Sequence, residues 1–317
     1  GLRSRMGFSA QGLVLNNFSL QAKDKEDIKI MIEAGADALA VSFVQTAKDI
    51  ETVRALLPKK NPPMLIAKIE TRAAVENAYE IFDVAQAVMI ARGDLGFSVP
   101  MAELPLIQKK LIRLALVKAK PIITATQMLE SMIHNPLPTR AEVTDVANAI
   151  LDGTDAVMLS GETAMGKFPR EVVKMMASII EDVTPHVTTQ EFREEEKVAD
   201  AIAASVVKVA DQASAKLIIV FTETGFTARK IARHRPRQPI IVLCSDPRAL
   251  HKLNFSWGVF PQHSKVLKNL DGLIVETKKV ATNNKIMKLK KGELFVISAG
   301  VPFGKSGTTN LVLVNKA

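Results

Sequence analysis

Short apolar runs alternate with helix-like segments through residues 1–186. The runs are Ala38–Val44, Met64–Glu70, Ala87–Ala91, Pro121–Thr126 and Ala156–Ser160. They are rich in Ile, Val, Met and Ala on both faces, which is typical of strands that helices cover on both sides. The helical segments that follow them are Asp49–Leu57, Ala73–Phe82, Glu103–Lys118, Thr139–Leu151 and Arg170–Asp182. This alternation predicts an α/β domain built on a parallel sheet or barrel.

A second α/β domain is predicted after residue 186. Residues 184–197 have the composition of a linker, with a proline, threonines and the acidic run Glu194–Glu196. Beyond them helix-like and strand-like segments alternate again, among them a helix at Val266–Val280 and a last strand at Leu311–Val314. The predicted domain boundaries are therefore 1–186 and 187–317.

Composition excludes several classes of protein. The chain is 47% hydrophobic and 24% charged, as in a soluble globular protein, and no apolar run approaches the roughly 18 residues of a membrane span. The net charge is +9, but the basic residues are dispersed, and one Trp and one Tyr offer little base stacking. A solvated surface is thus favoured over nucleic-acid binding. The single cysteine, Cys244, is typical of a reducing compartment, so a cytoplasmic location is expected.

Charged residues end the second and third apolar runs. Lys68 and Glu70 are two positions apart, so they share a face of the strand and emerge together at its end. An ordinary ion pair is one interpretation. The other is a lysine that neutralises a transferring phosphoryl group beside a carboxylate that binds a metal. Gly93 and Asp94 follow the third run, and one interpretation is a simple turn. In the other, the backbone N–H groups at Gly93 bind an anion, and the carboxylates of Asp94 and Glu70 together bind Mg²⁺ or Mn²⁺.

Polar residues also end the fourth and fifth runs. Thr126 closes one, and Ser160 followed by Glu162 closes the other. Hydroxyls at strand ends are often structural. Because the carboxyl ends of parallel strands lie at one edge, however, all these groups are expected to meet in one active site, and phosphoryl transfer is the predicted chemistry.

The motifs that contain these residues resemble those of the pyruvate kinase family. The similar segments, in the order of the family, are Ala67–Glu70, Ala91–Gly96, Ile123–Leu129, Pro138–Glu142, Asp152–Thr163 and Gly307–Asn310. The resemblance implies a (β/α)₈ barrel with a lid domain and a C-terminal α/β domain. It implies transfer of phosphoryl from phosphoenolpyruvate to ADP, giving pyruvate and ATP in glycolysis.

The resemblance also implies individual roles. Lys68 resembles the lysine that stabilises the phosphoryl group, and Glu70 and Asp94 the divalent-metal ligands. Gly93 and Asp94 resemble the backbone donors to the substrate carboxylate, and Ser42 a residue near the phosphate. Thr126 resembles the substrate-binding threonine of the family, and Ser160 and Glu162 resemble its proton-relay groups. The family also implies K⁺, whose ligands are not in this chain.

A turn in the second half resembles the family's effector loop. Thr222, Thr224, Gly225 and Thr227 lie between a strand and a helix, where free N–H groups favour an anion. The resemblance implies a sugar-phosphate effector, whereas an ordinary turn capped by threonines is the alternative. Glu223 and Phe226 depart from the family pattern.

The chain departs from the family in extent. Only about five of the eight βα units are predicted, and the lid and first strands are not among them. The alternative function is therefore a catalytically incomplete fragment or regulatory protein that binds metal and phosphoenolpyruvate without turnover. The uncovered sheet edges predict a homo-oligomer or association with a missing N-terminal portion.

Overall fold

The computed structural model describes residues 20–192, 198–265, 269–302 and 309–317. The chain divides between Thr184 and Pro185 into two compact units. Several sequence predictions concern residues outside the described ranges. They are the acidic run Glu194–Glu196, the first turn of the helix predicted from Val266, and the Gly307-Thr308 part of the last motif.

A parallel sheet of five strands forms the centre of the first unit, which confirms the predicted α/β fold with about five βα units. Its strands, in both chain and spatial order, are β1 (Ala38–Val41), β2 (Met64–Ile69), β3 (Ala87–Ala91), β4 (Ile122–Ala125) and β5 (Ala156–Met158). All of β3 and β4 is buried, whereas Ala40 in β1 is exposed and every residue of β5 is half-buried. The sheet is thus covered at its middle and partly exposed at its outer strands.

Nine α-helices of the first unit surround and connect these strands in the described part of the chain. They are α1 (Ala22–Glu33), α2 (Ala47–Arg54), α3 (Arg72–Glu76), α4 (Ala78–Val84), α5 (Arg92–Ser98), α6 (Leu104–Lys118), α7 (Arg140–Leu151), α8 (Gly161–Ala164) and α9 (Pro169–Val183). Side chains on α6, such as Leu111 and Ile112, are buried, as expected of a helix that packs on a sheet.

Several elements differ from the sequence predictions, and three of the differences have a clear physical reason. The first strand ends at Val41 and not at Val44, because Phe43 has a φ of 53° that a strand does not accommodate. The helix predicted at Ala73–Phe82 is two helices, since Asn77 leaves helical geometry and its amide donates to the Gln45 carbonyl. The short helix α5 was not predicted, because its two glycines lower its helix propensity.

The second unit is a separate α/β domain with a mixed sheet. Its elements are α10 (Val198–Gln212), β6 (Leu217–Phe221), α11 (Phe226–Ala232), β7 (Ile240–Cys244), α12 (Pro247–Leu253), β8 (Val259–His263), α13 (Leu270–Asn283), β9 (Leu294–Gly300) and β10 (Thr309–Lys316). The strand order is β10-β9-β6-β7-β8, and only the β9–β10 pair is antiparallel.

Alternate residues of the central strand β6 supply two hydrophobic cores. Ile218 and Val220 face one core, and Leu217, Ile219 and Phe221 face the other. The sheet is therefore buried on both sides, as its apolar strands predict. Within the described residues, no helix is both long enough and apolar enough to cross a membrane.

Candidate active site

The strand register brings the predicted site residues to one edge of the first sheet. Val41 pairs with Ala67, and Ile69 with Ile90. Ala91 and Ala125 then pair at the ends of β3 and β4. Along this register Ser42 is level with Lys68, and Thr126 lies three residue levels further along the strand direction, at the same carboxyl edge.

Lys68 and Glu70 form a buried ion pair at this edge. Lys68 Nζ lies 2.6 Å from Glu70 Oε1, and the Glu70 side chain is only 1% exposed. The Lys68 ammonium also donates to Ser42 Oγ at 3.0 Å. Lys68 and Glu70 thus emerge together, as their spacing predicts, and the Ser42 hydroxyl lies beside them. The Lys68 side chain is 23% exposed, so it is less enclosed than that of Glu70.

The backbone of Phe43 fixes the second oxygen of Glu70. The Phe43 N–H donates to Glu70 Oε2 at 2.5 Å, and Phe43 takes a left-handed φ of 53°. A buried carboxylate is costly unless it is paired and hydrogen-bonded. The lysine and this amide satisfy that requirement, and they hold the carboxylate in one orientation at the strand end.

The donor set at this edge suits a divalent metal that also binds substrate oxygens. Glu70 Oε1 is buried and accepts no hydrogen bond of ordinary geometry; its partner is the Lys68 ammonium. Asp94 is exposed in the first turn of α5, immediately beyond β3. No cluster of three or more acidic, His or Cys ligands is found among the described residues. Two carboxylates fit Mg²⁺ or Mn²⁺, which keep several positions for water and phosphate.

Thr126 lies against the start of α5. The Gly93 N–H donates to Thr126 Oγ1 at 2.7 Å, and that hydroxyl donates to the Ala125 carbonyl at 2.6 Å. Gly93 was predicted to be a backbone donor to a substrate carboxylate. In this structure its N–H is already used by Thr126, so such a contact would have to share or replace this hydrogen bond.

Sequence reasoning gave no role to Arg92, although it belongs to the quoted Ala91–Gly96 motif. Its side chain is 8% exposed, and its guanidinium donates to the Thr126 carbonyl at 2.8 Å and binds Asp145 at 2.7 Å. The partners lie 34 and 53 residues further along the chain. The one available signal was a charged residue directly after a fully apolar strand.

The two groups predicted as a proton relay are held differently. Glu162 is 2% exposed, and its carboxylate accepts from the backbone N–H of Ser160 at 2.8 Å and of Leu129 at 3.3 Å. Ser160 Oγ is buried and has no hydrogen-bond partner in the described part of the chain. The Glu162 carboxylate therefore links the backbone of Leu129, after β4, to that of Ser160, after β5. The Ser160 hydroxyl is not used in this link.

The predicted effector residues lie together in the second unit at the turn between β6 and α11. Thr222 accepts from the Gly225 N–H at 3.2 Å, and the hydroxyls of Thr227 and Thr309 lie 2.5 Å apart. Both Thr222 and Thr227 are buried, whereas Thr224 is exposed. The structure thus gives two of these hydroxyls internal partners.

Comparison with known protein families is consistent across both units. A model of the pyruvate kinase barrel domain matches residues 1–173, and a model of the pyruvate kinase alpha/beta domain matches residues 200–315.

Pyruvate kinases from bacteria are similar along nearly the whole chain. Those of Lactobacillus delbrueckii subsp. bulgaricus and Sporosarcina psychrophila are 41% identical over 98% and 99% of this chain, which correspond to 54% and 55% of those proteins. The pyruvate kinase of Geobacillus stearothermophilus is 41% identical over 99% of this chain and 54% of its own length. The chain spans about half the length of the relatives it matches, and by both domain models it belongs to the pyruvate kinase family.

Proposed function

We propose that the first unit carries a site for phosphoryl transfer from phosphoenolpyruvate to ADP, which yields pyruvate and ATP, the ATP-forming step of glycolysis. The observation that carries this proposal is the pair of Lys68 and Glu70, 2.6 Å apart at the carboxyl edge of the sheet and one strand from Asp94. A cation and two carboxylates are the groups that such a reaction requires.

Lys68 has the role of countering charge on the phosphoryl group. Its ammonium has Ser42 Oγ and Glu70 as partners, which hold it at the strand end, and 23% of the side chain is exposed. A fixed cation at this place stabilises the charge of the transition state without reorganisation. Glu70 and Asp94 would hold Mg²⁺ or Mn²⁺, which neutralises the substrate's phosphate and carboxylate charge when bound.

Loss of phosphoryl from phosphoenolpyruvate leaves an enolate, which needs a proton at carbon to become pyruvate. The Thr126 hydroxyl and the unpartnered Ser160 hydroxyl are the candidate groups at this edge that can orient a proton-carrying water. Glu162 then acts by holding the Ser160 backbone and not by touching substrate.

Two further roles belong to this proposal. The outer strands β1 and β5, which are partly exposed, favour association with a second copy or with another segment that covers them. Thr222, Thr224, Gly225 and Thr227 would bind a sugar-phosphate effector, with the exposed Thr224 as the first contact.

The test is a coupled assay for pyruvate formation with phosphoenolpyruvate, ADP, Mg²⁺ and K⁺. The Lys68→Met variant is expected to lose about 100-fold or more in kcat, as when a transition-state donor is removed. Lys285→Met, which removes an exposed lysine of the second unit, is the matched control and should keep full activity. Equal rates in the Lys68 variant and the unaltered chain would contradict the proposal, as would no pyruvate from either.

A further inference from the structure

The turn after β4 has an unfavourable backbone. Thr126 and Gln127 have φ angles of 69° and 53°, although neither is glycine. The left-handed region is unfavourable for an L-residue, and a β-branched residue such as Thr is rare there. Two such residues in succession persist only when surrounding contacts hold them.

The guanidinium of Arg92 supplies contacts of that kind. Nη2 donates to the carbonyls of both Thr126 and Gln127, at 2.8 and 3.0 Å, and Nε donates to the Thr126 carbonyl at 3.2 Å. The planar fork therefore spans both strained residues. No other side chain is seen to bind both of these carbonyls in the described part of the chain.

Partners on two helices anchor the guanidinium in turn. Nη1 binds the Asp145 carboxylate of α7 at 2.7 Å and lies 3.4 Å from Gln108 Oε1 of α6. Gln108 is 6% exposed and the Arg92 side chain 8% exposed, so the guanidinium is shielded from water, whereas the Asp145 side chain is 38% exposed. The Asp145 carboxylate offsets the cost of burying the positive charge.

The left-handed turn determines where the Thr126 side chain points. In this conformation Oγ1 lies 2.7 Å from the Gly93 nitrogen, one residue after Arg92 itself. Arg92 thus fixes both partners of that hydrogen bond, Gly93 through the chain and Thr126 through its carbonyl.

We propose that Arg92 is a positioning residue for Thr126: it holds the strained 126–127 turn so that the Thr126 hydroxyl stands at the start of α5, facing the reaction site. This inference rests on the proposed function as far as it concerns the reaction. The placing of Thr126 by Arg92 is a structural statement that can be measured without activity.

Arg92→Lys separates the charge of the residue from the shape of its guanidinium. Lysine keeps a cation beside Asp145, but its single ammonium does not reproduce the planar fork that spans two carbonyls. The matched control is Arg54→Lys, because Arg54 also joins a carboxylate, Glu51, to a backbone carbonyl, that of Val84, at the opposite edge of the sheet.

The first measurement is hydrogen exchange of the Gly93 amide by NMR. Protection of this amide should fall at least about tenfold in Arg92→Lys, to the level seen in Thr126→Val, which removes the acceptor. Arg54→Lys should leave it unchanged. If the Gly93 amide is as protected in Arg92→Lys as in the unaltered chain, the proposal is overturned, whatever the activity.

The second measurement is the pyruvate assay on the same variants. Arg92→Lys should lower kcat about tenfold or more while the KM for phosphoenolpyruvate changes less than about threefold, because misplacement affects the transition state. In a Thr126→Val background, Arg92→Lys should cause no further loss of kcat, because both changes remove the same hydrogen bond between Gly93 and Thr126. Fully additive losses would overturn the proposal.

The two proposals fail differently. An inactive unaltered chain whose Gly93 protection still depends on Arg92 would contradict the proposed reaction and support the positioning of Thr126. If Arg92→Lys does not fold, Arg92→Gln replaces it. Failure of both to fold would overturn the inference, because the arginine would then be required for the fold itself.

Discussion

The strand-end pair of Lys68 and Glu70 shows which features of the site follow from sequence. Their spacing of two in an apolar strand places them on one face, and the structure brings them to 2.6 Å. The Phe43 amide on Glu70 was not predictable, because it depends on a left-handed residue 27 positions earlier. The contacts of Arg92 were not predicted either, because its partners lie 34 and 53 residues further along the chain.

Replacing Glu70 tests the metal site without reference to turnover. Glu70→Gln keeps an oxygen for the Phe43 amide but removes the charge that a divalent cation needs. The Kd for Mn²⁺ in the presence of phosphoenolpyruvate, followed by electron paramagnetic resonance, should rise at least about tenfold. Glu103→Gln, which breaks an exposed ion pair with Arg72, is the control. An unchanged Kd in Glu70→Gln would place the metal elsewhere.

Gly225 is constrained both by its left-handed backbone angle and by the space around its Cα. Gly292 has a similar backbone angle but open space around it, so comparing the two separates these effects. Gly225 precedes α11 with a φ of 76°, and a Cβ there would lie 2.5 Å from Leu253 Cδ2. Gly292 has a φ of 90°, but a Cβ would meet nothing within 4 Å.

Both alanine variants should lose roughly 1–2 kcal/mol of unfolding free energy from the left-handed angle. Gly225→Ala should lose about 1–3 kcal/mol more from overpacking. Denaturant unfolding of the two variants measures the difference, and equal losses would show that Leu253 gives way without cost.

At the scale of elements, the start of α7 lies within one residue of the predicted segment Thr139–Leu151. Thr139 and Glu142 form a capping box, with the Glu142 N–H donating to Thr139 Oγ1 and the Thr139 N–H to the Glu142 carboxylate. Ser131 also donates to Glu142 through its N–H and its hydroxyl. Burial raises the pKa of Glu142, but these hydrogen bonds outweigh it and lower the pKa overall. The local cap was readable from sequence, whereas the tie to residue 131 was not.

The segment around Gln190 is attached to the turn after α11 through His234. The Gln190 N–H donates to the His234 carbonyl at 2.8 Å, His234 Nδ1 donates to the Gln190 carbonyl at 2.9 Å, and Arg233 donates to His234 Nε2 at 3.4 Å. Burial, with a contribution from the Arg233 cation, lowers the pKa of His234 to about 4. The attachment thus depends on a neutral imidazole.

Acid should therefore weaken the second unit through His234. The folded chain binds the proton only near pH 4, but the unfolded chain binds it near about pH 6.5, so stability falls as the pH drops between these values, by up to about 3 kcal/mol. His234→Asn keeps a donor for Gln190 and does not titrate, so it should lack this component in denaturant unfolding at several pH values. His251→Asn, an exposed histidine, should keep it. Identical pH profiles for all three chains would refute the account.

At the scale of the whole molecule, the alternation of apolar runs was enough to predict an α/β domain built on a parallel sheet, whereas the strand order came from the structure. The alternation was not enough to predict the mixed second sheet, because nothing in Leu311–Val314 distinguishes an antiparallel partner from a parallel one. The partly exposed outer strands β1 and β5 support the prediction of association. Light scattering should therefore report a mass above the 34.5 kDa of one chain, and a stable monomer would contradict this.

Transfer of the phosphoryl group itself tests the central claim most directly. Phosphoenolpyruvate labelled with ³²P is incubated with the chain, ADP, Mg²⁺ and K⁺, and the label is followed into ATP and inorganic phosphate. A site built on Lys68, Glu70 and Asp94 for transfer should place the label in ATP, and Lys68→Met should abolish this. Label that appears only as inorganic phosphate, or that stays in phosphoenolpyruvate, would contradict the account.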